Sequence, residues 1–262
     1  MEIKEALRWS TEKLSKGGIN SASLDAEILL SFVLKKPKEF LYAYPEKKLA
    51  FWQILRLKRL INKRLKNWPI AYLTHEKEFY GYNFYVNRRV LIPRPLTEQM
   101  IERVFPEIQK RIANPSALPG TGRESRIAIA DIGTGSGNII ITLIKKLEKE
   151  KYNLDDFKFY ATDISAAALK VAEKNARRHG VLKYITFLKG DLLTPLKNSE
   201  IDLLLANLPY LNVTEVQKEP SIQKEPREAL IGDFYPQLFK QINQLWPKPL
   251  IIFEDKTGIG SC

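Results

Sequence analysis

An α/β fold is predicted: a doubly wound, mostly parallel sheet preceded by a small N-terminal helical domain. Three observations predict it. Apolar residues recur at helical spacing through residues 1–70, short β-branched runs alternate with helical stretches from residue 126 onward, and a glycine-rich turn joins the first of those runs to the helix after it. Strands separated by helices of this length pair in parallel and need cover on both faces of the sheet.

In the N-terminal stretch, Ala26, Leu29, Leu30, Val33 and Leu34 fall on one helix face, and Ser23 is placed to cap the free amides of the first turn. Residues 52–66 carry Ile54, Leu57, Ile61 and Leu65 on one face and Arg56, Arg59, Lys63 and Lys66 on the other. A solvated helix surface explains those cations as readily as a partner does. From Ile70 the chain turns aromatic and β-branched, and the alternation Asn83-Phe84-Tyr85-Val86 predicts a hairpin or two short strands. Met100, Ile101, Val104 and Ile108 predict a helix after Glu98, and the Pro-, Gly- and Ser-rich stretch 113–125 a loop. Strands are expected at 126–132, 157–162, 184–188, 201–206 and 250–254, with helices over 138–147, 166–179 and 235–245. Ser165 caps the second of these helices and Gly180 ends it. The organisation is a helical domain over 1–70, a linking hairpin over 71–98 and a cofactor-binding α/β domain over 99–262.

The apolar fraction of 44% suits a packed globular chain. Forty-two Lys and Arg against 30 Asp and Glu leave a net charge of +12, scattered along the chain. That charge is compatible with nucleic acid or an acidic partner, and equally with a solvated basic surface. The single cysteine, Cys262, excludes an internal disulfide and suits a reducing cytosol. The opening MEIKEALRWS lacks the apolar core of a signal peptide, and no apolar run reaches bilayer-spanning length, so a cytoplasmic protein without membrane association is expected. His75 and His179, with that one cysteine, do not make a metal set. His179 falls in the last turn of a helix, where the dipole favours it. Trp9, Trp52, Trp68 and Trp246 are expected as packing residues.

The first strand of the α/β part runs into Gly133-Thr134-Gly135-Ser136-Gly137, where glycines let the backbone turn sharply and a ligand approach closely. No Gly-Lys-Ser/Thr ending follows, so this is not a phosphate loop. The second strand ends in Asp163, which can accept hydrogen bonds from two ribose hydroxyls. The third ends in Asp191 and Leu192, a polar and apolar pair suited to the edge and face of adenine. Each acid could instead cap its following helix, and dinucleotide dehydrogenases share the first two features. The fourth strand separates the readings. It ends in Asn207-Leu208-Pro209-Tyr210, where the Asn207 side-chain oxygen and the Leu208 carbonyl can accept the two N–H bonds of a planar amide or amine. Tyr210 can stack on that plane and favour a positive sulfonium nearby. A proline turn that merely ends a strand is the bland alternative.

At these residues the chain resembles class I methyltransferases with an Asn-Pro-Pro-Tyr motif and, more closely, the release factor glutamine methyltransferase family. The resemblance also covers Leu24-Asp25-Ala26-Glu27, Pro69-Ile70-Ala71-Tyr72-Leu73, Glu78-Phe79-Tyr80-Gly81, Val90-Leu91-Ile92-Pro93-Arg94-Pro95, Thr97-Glu98, Glu225-Pro226 and Ala229-Leu230. It implies a Rossmann-like domain that binds S-adenosyl-L-methionine against Gly133–Gly137, Asp163, Asp191, Leu192 and Asn207. It further implies that Asn207, Leu208, Pro209 and Tyr210 hold the glutamine of the Gly-Gly-Gln loop of a peptide chain release factor, which the helical domain helps to dock. No general base is then required before transfer.

Three departures stand out. Leu208 replaces a usual proline, which is expected to loosen the turn, and Leu96 replaces a usual acid. The chain ends at Cys262, soon after the fifth strand, where members of the family continue through another helix and a terminal hairpin. Missing C-terminal strands, an aberrant Gly258–Cys262 tail and an exposed fifth edge strand are therefore expected. Other readings of the same motif are methylation of the exocyclic amine of adenine in DNA or RNA, methylation of a ribosomal-protein glutamine, and a non-catalytic remnant that binds cofactor or a translation factor without turnover.

Overall fold

The computed structural model describes residues 1–113, 126–245 and 247–261. Most of the expected Pro-rich loop, Trp246 and Cys262 lie outside the described residues. The chain forms two compact units, Met1–His75 with Glu219–Lys224, and Glu76–Lys218 with Glu225–Cys262.

The first unit is built from α1 (Ile3–Lys16), α2 (Ala22–Leu34), α3 (Glu39–Ala43), α4 (Phe51–Arg64) and α5 (Ile70–Thr74). Ile3, Leu14, Leu29, Leu30, Leu57 and Ile61 are fully buried in its core. Each contributes about 1.5–3 kcal/mol relative to exposure. A partly buried ion pair joins α2 to α4: Arg64 Nε donates to Asp25 Oδ2 at 2.6 Å. The start of α2 differs from expectation. The helix begins at Ala22, itself buried, so Ser23 stands within the first turn, and the N-cap is Ser21 without a side-chain capping bond. The tryptophans also divide. Trp9 and Trp68 pack partly buried against the core, but Trp52 is 56% exposed, which corrects its expected packing role.

The second unit opens with a hairpin of β1 (Glu76–Phe79) and β2 (Tyr82–Tyr85), joined by Tyr80-Gly81 with φ of 54° and 77°. Two central residues with positive φ match the right-handed twist of the flanking strands. After α6 (Glu98–Ala113) come β3 (Ile127–Ile132), α7 (Asn138–Lys149), β4 (Phe157–Asp163), α8 (Ala166–Arg178), β5 (Ile185–Lys189), β6 (Leu203–Ala206), α9 (Val213–Lys218), α10 (Tyr235–Ile242), β7 (Leu250–Asp255) and β8 (Gly258–Ser261). Ser165 caps α8 by accepting from the Ala168 amide, and Gly180 follows the helix with φ 75°.

The sheet order is β5-β4-β3-β6-β7-β8, parallel up to β7. Side chains of a strand alternate between faces, and the core divides accordingly. Ile127 and Ile129 of β3, with Leu203 and Leu205 of β6, pack under α6 and α7, whereas Ala128, Ala130, Leu204 and Ala206 pack under α10. The expectation of an exposed fifth strand is corrected: β8, from within the supposed aberrant tail, pairs antiparallel with β7 and satisfies that edge. Its Gly260 lies where a Cβ would come within 2.6 Å of the Phe253 ring.

His179 is the C-cap of α8, one position beyond its last helical residue, Arg178. Its ring packs 4.9 Å from Phe84 and 5.9 Å from Tyr82, and burial holds it below the ordinary histidine range. The fully buried Asn175 of α8 fastens the hairpin to the glycine turn. Its Oδ1 accepts from the Tyr85 amide (2.8 Å), and its Nδ2 donates to the carbonyls of Tyr85 (2.9 Å) and Ser136 (2.8 Å). Removing the amide would strand three backbone groups, each costing about 1–3 kcal/mol when buried. Asn175→Ala is therefore expected to lower unfolding free energy by about 3 kcal/mol or more in urea titration; a change within error would show that water replaces these bonds freely.

Candidate active site

A cleft with about 360 Å³ of free volume opens at the carboxyl ends of β3, β4, β5 and β6. This is where an open parallel sheet leaves a crevice, because the chain departs from β3 in both directions, to β4 on one side and β6 on the other. The volume falls within the range of about 300–1,000 Å³ usual for small-molecule sites.

The glycine turn forms the floor. Gly133, Gly135 and Gly137 take φ of 70°, 54° and 78°, conformations that side chains resist. A Cβ at Gly137 would stand 2.9 Å from Ile141 Cδ1 and 3.2 Å from Ala172 Cβ, so this glycine lets α7 and α8 approach closely. A Cβ at Gly135 would meet nothing nearer than the Gly133 carbonyl at 3.9 Å, so it would occupy cleft space instead. That is the signature of a backbone cradle for a ligand. Thr134 is held by its amide to the Thr162 carbonyl (2.9 Å) and by its hydroxyl to Asp131 (2.7 Å). Burial pushes the Asp131 carboxyl up to about 7 against the opposing Thr134 bond.

Asp163 accepts from the Gly135 amide at 2.9 Å and the Ser165 amide at 2.8 Å, one on each oxygen, so it braces the turn and the start of α8 while lining the cleft. Burial raises its pKa and the two amides oppose the rise. Each oxygen retains a second lone pair for a ligand. Asp191 accepts from Gln237 Nε2 at 2.9 Å. Leu192 is buried with φ 48°, a left-handed conformation costing a branched residue about 1–2 kcal/mol. Thr162, donating its hydroxyl to the Leu192 carbonyl, helps hold it there.

The opposite wall carries Asn207, Leu208 and Pro209. Asn207 Nδ2 donates to Thr97 Oγ1 (3.0 Å) and to Glu254 Oε2 (3.2 Å), and Thr97 donates its hydroxyl to the same carboxylate oxygen (2.6 Å). An ionised carboxylate only accepts, so the Asn207 nitrogen must face Glu254 and its Oδ1 is left for the cleft. Glu254 is buried at the end of β7, and burial raises its pKa against the bonds from Thr97 and Tyr210. Tyr210 does not line the cleft; its hydroxyl donates to Glu254 Oε1 at 3.3 Å.

Leu208 is not loosely held. Its side chain is buried, placed so that a Cβ on Gly133 would come within 2.9 Å of its Cδ2. Its amide donates to the Tyr235 hydroxyl at 3.2 Å, and that hydroxyl also reaches the carbonyls of Ala206 and Glu254. A proline here would have no N–H to offer. Leu96 is 42% exposed, at the surface of the turn Pro95–Thr97. The Pro-Arg-Pro segment is anchored by buried Glu225, which accepts from the Ile92 amide (2.9 Å) and from Arg94 (2.6 Å).

The structure thus gathers Gly133, Thr134, Gly135, Ser136, Asp163, Asp191, Leu192, Asn207, Leu208 and Pro209 around one cleft, whose lining does not include Gly137 or Tyr210. Sequence reasoning did not assign roles to Thr97, Arg94 or Glu225, although their segments carried the resemblance. It missed Tyr235 and Glu254 altogether.

Fold and site define a methyltransferase of the Rossmann-like class. Residues 123–235 match a methyltransferase domain family, and residues 5–74 match the PrmC N-terminal domain family. The chain is 38% identical over 247 residues to the release factor glutamine methyltransferase of Dictyoglomus turgidum, covering 90% of this chain and 79% of that protein. It is 32% identical over 270 residues to that of Bacillus anthracis, covering 99% and 88%. The chain belongs to the release factor glutamine methyltransferase family. Among solved structures, the hMettl16 catalytic domain in complex with MAT2A 3′UTR hairpin 1 shares the fold, with a TM-score of 0.51 at 16% identity over 87% of this chain and 78% of that one.

Two outcomes follow from these contacts. Because the folded Asp131 binds its proton more tightly than the unfolded chain, wild-type stability falls as pH rises from about 4 through about 7. Asp131→Asn, which cannot ionise, should therefore gain on wild type between pH 5 and pH 8 by on the order of 2 kcal/mol in thermal melts; a pH-independent difference would contradict this. Tyr235→Phe should cost about 1–3 kcal/mol in the native chain and less in a Leu208→Pro background, where no amide is stranded. Equal costs in both backgrounds would remove the Tyr235–Leu208 bond from the account.

Proposed function

We propose that this protein transfers a methyl group from S-adenosylmethionine to the side-chain amide nitrogen of the glutamine in the Gly-Gly-Gln loop of a peptide chain release factor. The observation that carries this reading is the fixed amide of Asn207: its nitrogen is engaged by Thr97 and Glu254, so its oxygen is the group available at the cleft wall.

When bound, S-adenosylmethionine supplies an electrophilic methyl on a positive sulfur. The residues present suit it. The bare Gly135 backbone admits close approach, the remaining lone pairs of Asp163 suit two ribose hydroxyls, and Asp191 with Leu192 offers an acceptor and an apolar face for adenine. Thr134, Ser136 and Gly137 shape the turn that carries these contacts.

An amide nitrogen is a poor nucleophile because its lone pair is delocalised into the carbonyl. Asn207 Oδ1 and the Leu208 carbonyl each accept one N–H of the substrate glutamine, which fixes the plane of its amide and the direction of attack. Such positioning can supply up to about 7–11 kcal/mol of a barrier. Pro209 stiffens the turn, and Tyr210 braces Glu254. That carboxylate is occupied by Thr97, Asn207 and Tyr210, so it orients rather than deprotonates. The proton displaced by the methyl leaves to water. The partner is a soluble translation factor, which puts the reaction in the cytoplasm; no helix among the described residues is long and apolar enough to cross a membrane.

The test is incubation with labelled S-adenosylmethionine, a release factor, and separate duplex and single-stranded nucleic acids. Label on the loop glutamine is expected, and label on adenine alone would overturn the reading. Asn207→Ala should reduce transfer by at least about a hundredfold, the scale of losing one preorganised polar contact. Cofactor affinity should change by only a few-fold, and undiminished turnover would exclude the clamp.

A further inference from the structure

We propose that the exposed face of α4, with the adjoining surface of α1, binds a single-stranded segment of RNA. The inference is independent of the methyl-transfer site.

The basic charge is not evenly spread. Residues 1–75 contain fifteen Lys and Arg against seven Asp and Glu, so they carry +8 of the chain's +12. Within this unit the charge concentrates further. The stretch 51–66 holds six cations and no acid. Arg64 is spent on Asp25, but no described ion pair involves Arg56, Lys58, Arg59, Lys63 or Lys66. Lys58, Arg59 and Lys66 are exposed, and Lys63 partly so.

The same face carries aromatic rings. Phe51 and Trp52, at the start of α4, are 75% and 56% exposed, far above what packing residues show. From α1, Trp9 lies beneath two ammonium groups, Lys13 at 5.2 Å and Lys58 at 6.0 Å from its ring centroid. Cations tracking a phosphate backbone beside rings that stack on unpaired bases are the two components of single-strand recognition. Stacking requires bases that are not already paired, which RNA loops and tails present.

An acidic protein surface is the competing occupant, and two features disfavour it. Lysine is depleted in protein–protein interfaces, yet it supplies most of the free cations here. Protein partners also present both signs of charge and are registered by complementary pairs, whereas the acid-free stretch 51–66 of this face suits a partner whose charges are all negative.

The experiment is fluorescence anisotropy of a labelled single-stranded 12-nucleotide RNA with the whole chain at several salt concentrations. If Lys58, Arg59, Lys63 and Lys66 each neutralise one phosphate, affinity should fall about 50-fold between 50 and 200 mM salt. The triple variant K58A/R59A/K66A should bind at least about tenfold more weakly and lose about two from the salt slope. Trp52→Ala should weaken binding about fivefold or more without changing that slope. Both variants should keep the wild-type melting temperature and the wild-type affinity for S-adenosylmethionine. Absent RNA binding at 50 mM salt, or equal affinity of wild type and the triple variant, overturns the proposal. So does a triple variant that retains RNA affinity but raises KM for the release factor, because the face would then read a protein.

Discussion

Much of this site depends on one buried carboxylate. Glu254, at the end of β7, accepts hydrogen bonds from Thr97, Asn207 and Tyr210, three groups that reach it from three segments of the chain. A carboxylate in such a place is costly to desolvate and stays only where donors surround it. The arrangement decides which end of the Asn207 amide faces inward. With nitrogen drawn to the anion, the oxygen becomes the acceptor at the cleft, and the wall gains the polarity that an incoming NH₂ group needs. The backbone around it is held as closely: the Tyr235 hydroxyl takes the Leu208 amide and touches the carbonyls on either side.

The opposite wall solves a different problem with backbone alone. A turn that must admit a ligand and let two helices approach cannot carry side chains at Gly135 and Gly137, for separate reasons: one Cβ would occupy the cleft, the other would strike Ile141 and Ala172. Asp163 then serves twice. It closes the turn through backbone amides and still presents lone pairs to the cleft, so the opposition between a helix-capping acid and a ligand-binding acid dissolves once its two oxygens are seen separately. Gly133 and Leu208 join the walls, since the leucine side chain occupies the space that a Cβ at Gly133 would approach.

Charge and apolar exposure separate the two compact units. In unit 2, burial raises the pKa of Asp131, Asp163 and Glu254. Unit 1 keeps a partly buried ion pair between Asp25 and Arg64 but turns an acid-free row of cations on α4 and bare aromatic rings outward. A packed helix has no need of an exposed Trp52, so that face is shaped by something other than its own core.

The α/β order, the hairpin, the glycine turn and the Asn207–Tyr210 motif were legible in the sequence because each is a local signal: a periodicity, a cap, or a run of residues whose backbone demands are specific. The family resemblance rested on the same contiguous segments. The start of α2, the pairing of β8 and the exposure of Trp52 were not legible, since each depends on which surface the rest of the chain already covers. Glu254 and Tyr235 carried no signal either. They lie 47 and 28 positions from Asn207 and resemble an ordinary strand end and helix start. By itself, then, the sequence determined the elements and the chemistry of the individual motifs. Only the tertiary structure decided which oxygen of those motifs faces the cleft, because hydrogen-bond orientation is set by neighbours that the fold, and not the chain order, brings within hydrogen-bond reach, at 3.0 Å for Thr97 and 3.2 Å for Glu254.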